Sequence, residues 1–261
     1  MSFSLISSFF TSSLESKFNL LIKANEVIGK NIKTNNEEEL TFSEEKVYDG
    51  GTSLIQKDRN TDLIHISYST PKTQSRVYLY NLKTKEKKLV KEQIIPSGHN
   101  PDDYIVERLD CDSHDGKKIP LTIIRNKKTK IDGNAKLLLY GYGSYGNSMS
   151  PSFSSNKFSL IDRDIIWVTA HVRGGLERGM KWWKEGKLLN KKNTFKDYIS
   201  VAKFLIEKKY TSKGKIIGMG GSAGGLLMGA VVNQAPELFL GIIMAVPFVD
   251  SLTTNLDHSL P

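Results

Sequence analysis

Lys215-Ile216-Ile217-Gly218-Met219-Gly220-Gly221-Ser222-Ala223-Gly224-Gly225 decides how this chain is read. A short apolar run ends in a glycine-rich turn, and a helical stretch, residues 225–234, follows it. The turn, Gly220-Gly221-Ser222-Ala223-Gly224, is a G-x-S-x-G. A hydroxyl that acts as a nucleophile must stand clear of its sheet on a strained strand-to-helix turn, and small flanking residues let the backbone make that turn. Ser222 is the candidate nucleophile on this ground. The N–H of Ala223, at the helix start, is placed to stabilise a developing oxyanion. The plainer reading of the same glycines is a helix start that packs closely or binds phosphate.

The neighbouring segments supply the sheet. Leu137-Leu138-Leu139-Tyr140, Ile165-Ile166-Trp167-Val168 and Ile242-Ile243-Met244-Ala245-Val246 are continuous apolar runs, as strands buried on both faces require. Phe195, Tyr198, Ile199, Ala202, Leu205 and Ile206 recur on one helical face, with Asn193 or Thr194 as N-cap. Strand, helix, strand, helix, strand predicts an α/β fold: a parallel sheet with flanking helices and right-handed crossovers. Tyr104–Asp110 and Ile119–Ile124 flank Asp115-Gly116, a hairpin signal. Upstream, Leu63–Tyr68, Val77–Tyr80 and Leu89-Val90 alternate with polar turns and predict an antiparallel meander. Pro96-Ser97-Gly98-His99-Asn100-Pro101 reads as a linker. The expected division is therefore 1–102 and 103–261, with residues 1–60 carrying no clear period.

Composition narrows the classes. The chain has 261 residues, 39% hydrophobic and 25% charged. Its one cysteine, Cys111, excludes an internal disulfide scaffold. No apolar stretch approaches the roughly 18 residues of a membrane span, and the first residues lack the form of a signal peptide. A cytoplasmic location is expected, with no membrane partner. The net charge of +9 comes from scattered lysines such as Lys83, Lys85, Lys87 and Lys88, without a nucleic-acid motif, so solvated surface is the reading and no nucleic-acid partner is expected.

Gly141-Tyr142-Gly143-Ser144-Tyr145-Gly146 is a formal G-x-G-x-x-G after a strand. A dinucleotide site needs a helix next and an acid ending the following strand. Here Ser148, Ser150, Pro151 and Ser152 follow, and Asp162 and Asp164 precede the next strand. Neither a nicotinamide or flavin cofactor nor a metal is expected. The six residues read instead as a tight loop exposing tyrosines at the carboxyl edge of the sheet.

Four segments together carry a resemblance: Leu139–Gly146, His171-Val172-Arg173-Gly174-Gly175, Lys192-Asn193-Thr194-Phe195 and Gly220–Gly225. In this order they resemble the motifs of the prolyl oligopeptidase family of serine peptidases. Tyr142–Gly146 and Val246-Pro247-Phe248-Val249-Asp250 are more similar to its oligopeptidase B (protease II) branch. The resemblance runs from about Asp62 to Pro261. It implies an α/β-hydrolase domain capped by a seven-bladed β-propeller and cleavage of short peptides after Arg or Lys. Ser222 would be the nucleophile, and the hydroxyl of Tyr142 with the N–H of Ala223 would form the oxyanion hole. Glu177 matches the acid that holds the basic side chain, a role suited to a carboxylate facing a guanidinium. Leu176 and Arg178 depart from the more glycine-rich family pattern, and Arg178 is in place to pair with Glu177.

The triad of such a domain follows the order Ser, Asp or Glu, His. The residues after Ser222 supply one helix, one strand and the side chains Asp250, Asp257 and His258. Ser222–Asp250–His258 has the right order, but the geometry needs separate strand ends. His65, His99, His114 and His171 precede Ser222, and His171, on a buried strand, reads as a core group. Before Tyr104 at most one or two propeller blades fit. The expectation is thus an incomplete serine peptidase, inactive alone, with short basic peptides as substrates and a separately encoded remainder as candidate partner. A non-catalytic remnant is the alternative. An α/β-hydrolase esterase comes third, and the tyrosine-rich loop counts against it.

Overall fold

The computed structural model describes residues 62–259, together with the backbone of four earlier strands. Two compact units divide the chain: residues 1–101 with 151–154, and residues 102–150 with 155–261.

The described strands of the first unit pair antiparallel. Strands β1 (Phe18–Lys23), β2 (Glu26–Asn31) and β3 (Glu37–Glu39) form one sheet. Strands β4 (Asp49–Leu54), β5 (Leu63–Ser69), β6 (Arg76–Asn81) and β7 (Lys87–Glu92) form a second sheet in sequential order, the meander that the alternating runs predict. On β5, Ile64, Ile66 and Tyr68 are buried, as period-two alternation requires. The β6–β7 turn forms because the Asn81 carboxamide accepts from the N–H groups of Lys83 and Thr84, a local bond that Asn makes readily.

The second unit is built on a six-stranded sheet in the order β13-β12-β10-β11-β9-β8. β8 (Tyr104–Asp112) and β9 (Lys118–Asn126) make the predicted hairpin, with Gly116 at φ 76° in its turn. β10 (Leu137–Gly141), β11 (Ile166–Ala170), β12 (Ile216–Gly221) and β13 (Phe239–Ala245) run parallel, while β9 joins β11 antiparallel. The helices are α1 (Ser155–Ile161), α2 (Met180–Lys184), α3 (Lys192–Glu207), α4 (Ala223–Gln234) and α5 (Ser251–Leu256). Among the described residues none is long and apolar enough to cross a membrane.

Leu137, Leu139, Ile166, Val168 and Ile216 of the sheet pack with Tyr198, Val201 and Leu205 of α3 and with Leu227 and Val231 of α4. Gly141 at the end of β10 permits this contact. A Cβ there would stand 2.8 Å from the Tyr198 ring and 3.1 Å from Leu227. The Tyr198 hydroxyl donates to the Leu139 carbonyl at 2.5 Å, which satisfies a polar group inside the core. At the opposite end of the order, β13 pairs with β12 and exposes Leu240, Ile243 and Met244.

Two local expectations change. α3 begins at Lys192, so neither Asn193 nor Thr194 caps it. Both side chains reach back to the preceding loop: the Asn193 amide donates to the Glu185 carbonyl, and the Thr194 hydroxyl to the carbonyls of Arg173 and Gly186. The face of α3 that is buried includes Thr194 and Asp197 beside Tyr198, Val201, Ala202 and Leu205. Selecting apolar residues alone therefore places the face slightly off its true centre.

Candidate active site

Ser222 stands between β12 and α4 with φ 54° and ψ −120°. A positive φ is uncommon for a residue with a Cβ and costs on the order of 1–3 kcal/mol. The turn is fixed from both sides. The Ser222 N–H donates to the Ala245 carbonyl at 2.9 Å, and its carbonyl accepts from Gly225 at 2.8 Å and Phe248 at 3.0 Å. The side chain is exposed and its hydroxyl caps nothing. The flanking glycines answer to contacts. A Cβ on Gly220 would run into the Gly224 carbonyl, and one on Gly225 would stand 2.5 Å from Pro247. Ala223 is the first residue of α4, so its N–H has no acceptor within the helix.

The loop after β10 brings Tyr142 to the same place. A Cβ on Gly224 would lie 3.3 Å from Cδ2 of Tyr142 and 2.8 Å from the Gly141 carbonyl. No helix opens at this G-x-G-x-x-G; the chain turns through Gly143 (φ 67°), Tyr145 (φ 56°) and Gly146 (φ 69°), and Tyr145 is exposed. The loop rests on the turn after β11. The Gly146 N–H donates to the Gly174 carbonyl at 2.9 Å; a Cβ at Gly143 would strike the Thr194 and Val172 side chains, and one at Gly174 the Gly143 carbonyl.

Glu177 lies on that same turn, its side chain only 7% exposed. Oε1 accepts from the Met149 N–H at 3.0 Å and sits 3.4 Å from Nδ1 of His171. Oε2 is buried and meets no hydrogen-bond donor. Gly175 makes the space, because a Cβ there would strike Oε2. His171 is held at its other nitrogen by the Thr122 hydroxyl at 2.9 Å, and Arg108 donates to that same hydroxyl at 2.6 Å. Burial pushes the imidazole below its ordinary value, Arg108 adds to the shift, and Glu177 only partly opposes it.

Residues 151–261 match the model of the prolyl oligopeptidase family. Dipeptidyl aminopeptidase BI from Pseudoxanthomonas mexicana is 43% identical over 231 residues, covering 88% of this chain and 32% of that protein. Protease 2 from Moraxella lacunata is 42% identical over 208 residues, covering 80% and 30%. Oligopeptidase B from Trypanosoma brucei superposes with a TM-score of 0.84 at 33% identity, covering 95% of this chain and 37% of that one. The chain belongs to the prolyl oligopeptidase family. It spans about a third of the length of these relatives.

Within this prolyl oligopeptidase unit the structure corrects one expectation. Arg178 does not pair with Glu177; it is exposed and bonded to Asp110 at 2.8 Å. Leu176 turns towards the tyrosine loop, within 3.2 Å of where a Cβ on Gly146 would be. Asp250 caps α5 by accepting from the Thr253 N–H, and Asp257 bonds Ser259. Neither is hydrogen-bonded to His258 or Ser222 among the described residues. Among these residues, no cluster of His, Cys, Asp and Glu could hold a metal ion.

Sequence reasoning passed over Arg173. Its guanidinium is 1% exposed and bonds Asp197, Asp115 and Ser113 while lying 5.7 Å over the Trp182 ring. This cluster ties α3, the β8–β9 turn and the turn carrying Glu177 together. The available signal was Asp197, an acid one position from Tyr198 on the apolar side of α3, since an acid in such a place needs a cation.

Proposed function

We propose that Ser222 is the nucleophile of a serine peptidase site and that Glu177 selects substrates with Arg or Lys before the scissile bond. The observation that carries the first part is the strained, exposed Ser222 at the β12–α4 turn, with Tyr142 packed against Gly224. In this reading Oγ attacks the scissile carbonyl carbon while a base takes the hydroxyl proton. The Ala223 N–H and the Tyr142 hydroxyl donate to the oxyanion that forms. The peptide C–N bond then breaks, the amine leaves with a proton, and water releases the acyl group from Ser222.

Glu177 supports the second part. A buried carboxylate oxygen without a donor is costly in an isolated protein and is repaid when a substrate cation supplies the missing N–H groups. The Trypanosoma brucei relative carries covalently bound antipain, so antipain is a natural probe for this chain as well.

The base is proposed to lie outside the described residues. His171 is occupied by Thr122 and Glu177, and a serine hydroxyl is a poor nucleophile until a base is within hydrogen-bond reach. Residues 1–261 alone are therefore expected to show no Ser222-dependent peptide turnover. The test is turnover and active-site serine labelling of the purified chain, with Ser222→Ala as control. Near-normal turnover that vanishes with Ser222→Ala refutes the separate base and directs attention to Asp250 and His258. A separately encoded remainder that restores turnover on mixing favours the split enzyme over a non-catalytic remnant.

A further inference from the structure

Lys191 immediately precedes α3 and takes no part in the chemistry proposed above. Its ammonium donates to the Gly143 carbonyl at 2.6 Å and to the Ser144 hydroxyl at 2.7 Å. These two acceptors follow Tyr142 directly in the chain. The loop they belong to has three residues at positive φ within four positions, one of them a tyrosine, so it does not hold this shape by local preference. Besides its packing against the turn after β11, one backbone bond ties the loop to that turn, from the Gly146 N–H to the Gly174 carbonyl, and another, from the Asn147 N–H to the Ser144 carbonyl, is internal to the loop.

The geometry points to Lys191 as the positioning residue of the Tyr142 loop, clamping the backbone on which that tyrosine stands. The inference rests on the reading of Tyr142 as an oxyanion donor for its functional meaning, but the clamp is a separate physical claim. Lys191 forms no ion pair among the described residues. Lys184, Glu185 and Lys187 around α2, Arg173 on the adjoining turn, Lys192 and Asp197 of α3, and the loop's Tyr142 and Tyr145 all bond elsewhere or not to it. Burial alone acts on its proton and pushes the amine down to about 8. A neutral amine keeps two N–H donors, one for each acceptor, and sheds the cost of a part-buried charge. A released, hydrated lysine binds its proton more tightly than the clamped one. The clamp therefore tightens as pH rises from about 8 towards the ordinary lysine value.

Hydrogen–deuterium exchange of the full 261-residue chain, corrected for intrinsic rates, tests this directly. In the wild type, protection of residues 141–147 should rise from about pH 8 towards pH 10. Lys191→Met should speed exchange there by about tenfold, the worth of its two hydrogen bonds, and abolish the rise. Residues 216–234 should stay as protected as before. Lys191→Arg should restore protection without the rise. Unchanged exchange in Lys191→Met, or an increase spread equally over 216–234, overturns the clamp. Should Lys191→Met fail to fold, Ser144→Ala removes one acceptor from a half-buried loop, and unchanged exchange in that variant with a flat wild-type profile overturns the clamp equally. Tyr142→Phe separates the two claims. It should leave exchange of 141–147 as in the wild type, and if it also leaves turnover unaltered in a form of the enzyme with acid and base supplied, the oxyanion role fails while the clamp stands.

Discussion

Arg173 and Asp197 meet in a two-pronged bond inside the second unit: Nε–H to Oδ2 at 2.8 Å and a terminal N–H to Oδ1 at 2.6 Å, with side chains 1% and 0% exposed. The Arg173 backbone N–H adds a third bond to the same carboxylate at 3.0 Å. Burial on its own would lower the guanidinium pKa, and the bonds and charges of Asp197 and Asp115 outweigh it. Breaking a buried pair from one side leaves an uncompensated charge. Asp197→Asn should destabilise the chain by about 3–5 kcal/mol. Asp115 binds the same guanidinium but is 35% exposed, and Asp115→Asn should cost about 1 kcal/mol or less. Urea unfolding of both variants checks the ranking, and equal losses would remove Asp197 from its central place.

His171 sets a pH dependence whose sign is fixed. Its folded value lies below the ordinary one, with burial as the first cause. Above the unfolded value of about 6.5 both states are neutral and stability is complete; as pH falls from there towards the folded value only the unfolded chain binds the proton, and the loss is complete once the folded chain binds it too. Unfolding free energy should therefore fall from about pH 6.5 downward, before most carboxylates titrate. His171→Gln should flatten that part of the profile. A parallel fall in the variant would assign the loss to another group.

The sheet was legible because its strands obey simple rules. Leu137–Leu139 and Ile166–Val168 are apolar on both faces, and Asp115-Gly116 marks a tight turn; each pattern is local. Ser222 was legible for the same reason, since the strand–turn–helix context sits within a dozen residues. The hidden features depend on residues distant in sequence. Arg173 reaches Asp115 and Asp197, and Lys191 reaches Gly143 across the loop. Nothing in a run of lysines such as Lys191-Lys192 shows which one turns inward. α1, α2 and α5 are 7, 5 and 6 residues long, too short for a 3.6-residue period to stand out.

The strain at Ser222 should be measurable. Glycine tolerates φ 54° without penalty, while alanine keeps the Cβ. Ser222→Gly should raise the unfolding free energy by about 1 kcal/mol after the greater freedom of glycine in the unfolded chain is counted. Ser222→Ala should change it little. A shift in the urea midpoint confined to the glycine variant identifies stored strain, and equal midpoints would show that the turn is relaxed.

Glu177 offers the sharpest test of specificity, because its two oxygens are in different situations. Oε1 is engaged by Met149 and His171, so the carboxylate is held; Oε2 is buried and lacks a donor. Glu177→Gln keeps the shape, removes the charge, and puts an amide where an incoming guanidinium would donate. Binding of an arginine amide to residues 1–261, followed by calorimetry, should weaken by about 2–5 kcal/mol, the cost of breaking a desolvated charge pair. The norleucine amide, with a similar stem and no charge, should bind the two proteins alike. In a form of the enzyme with acid and base supplied, the same substitution should lower kcat/KM selectively for Arg and Lys substrates. Equal weakening of charged and neutral ligands would make Glu177 a structural support for the turn at Gly175 rather than the residue that reads the substrate.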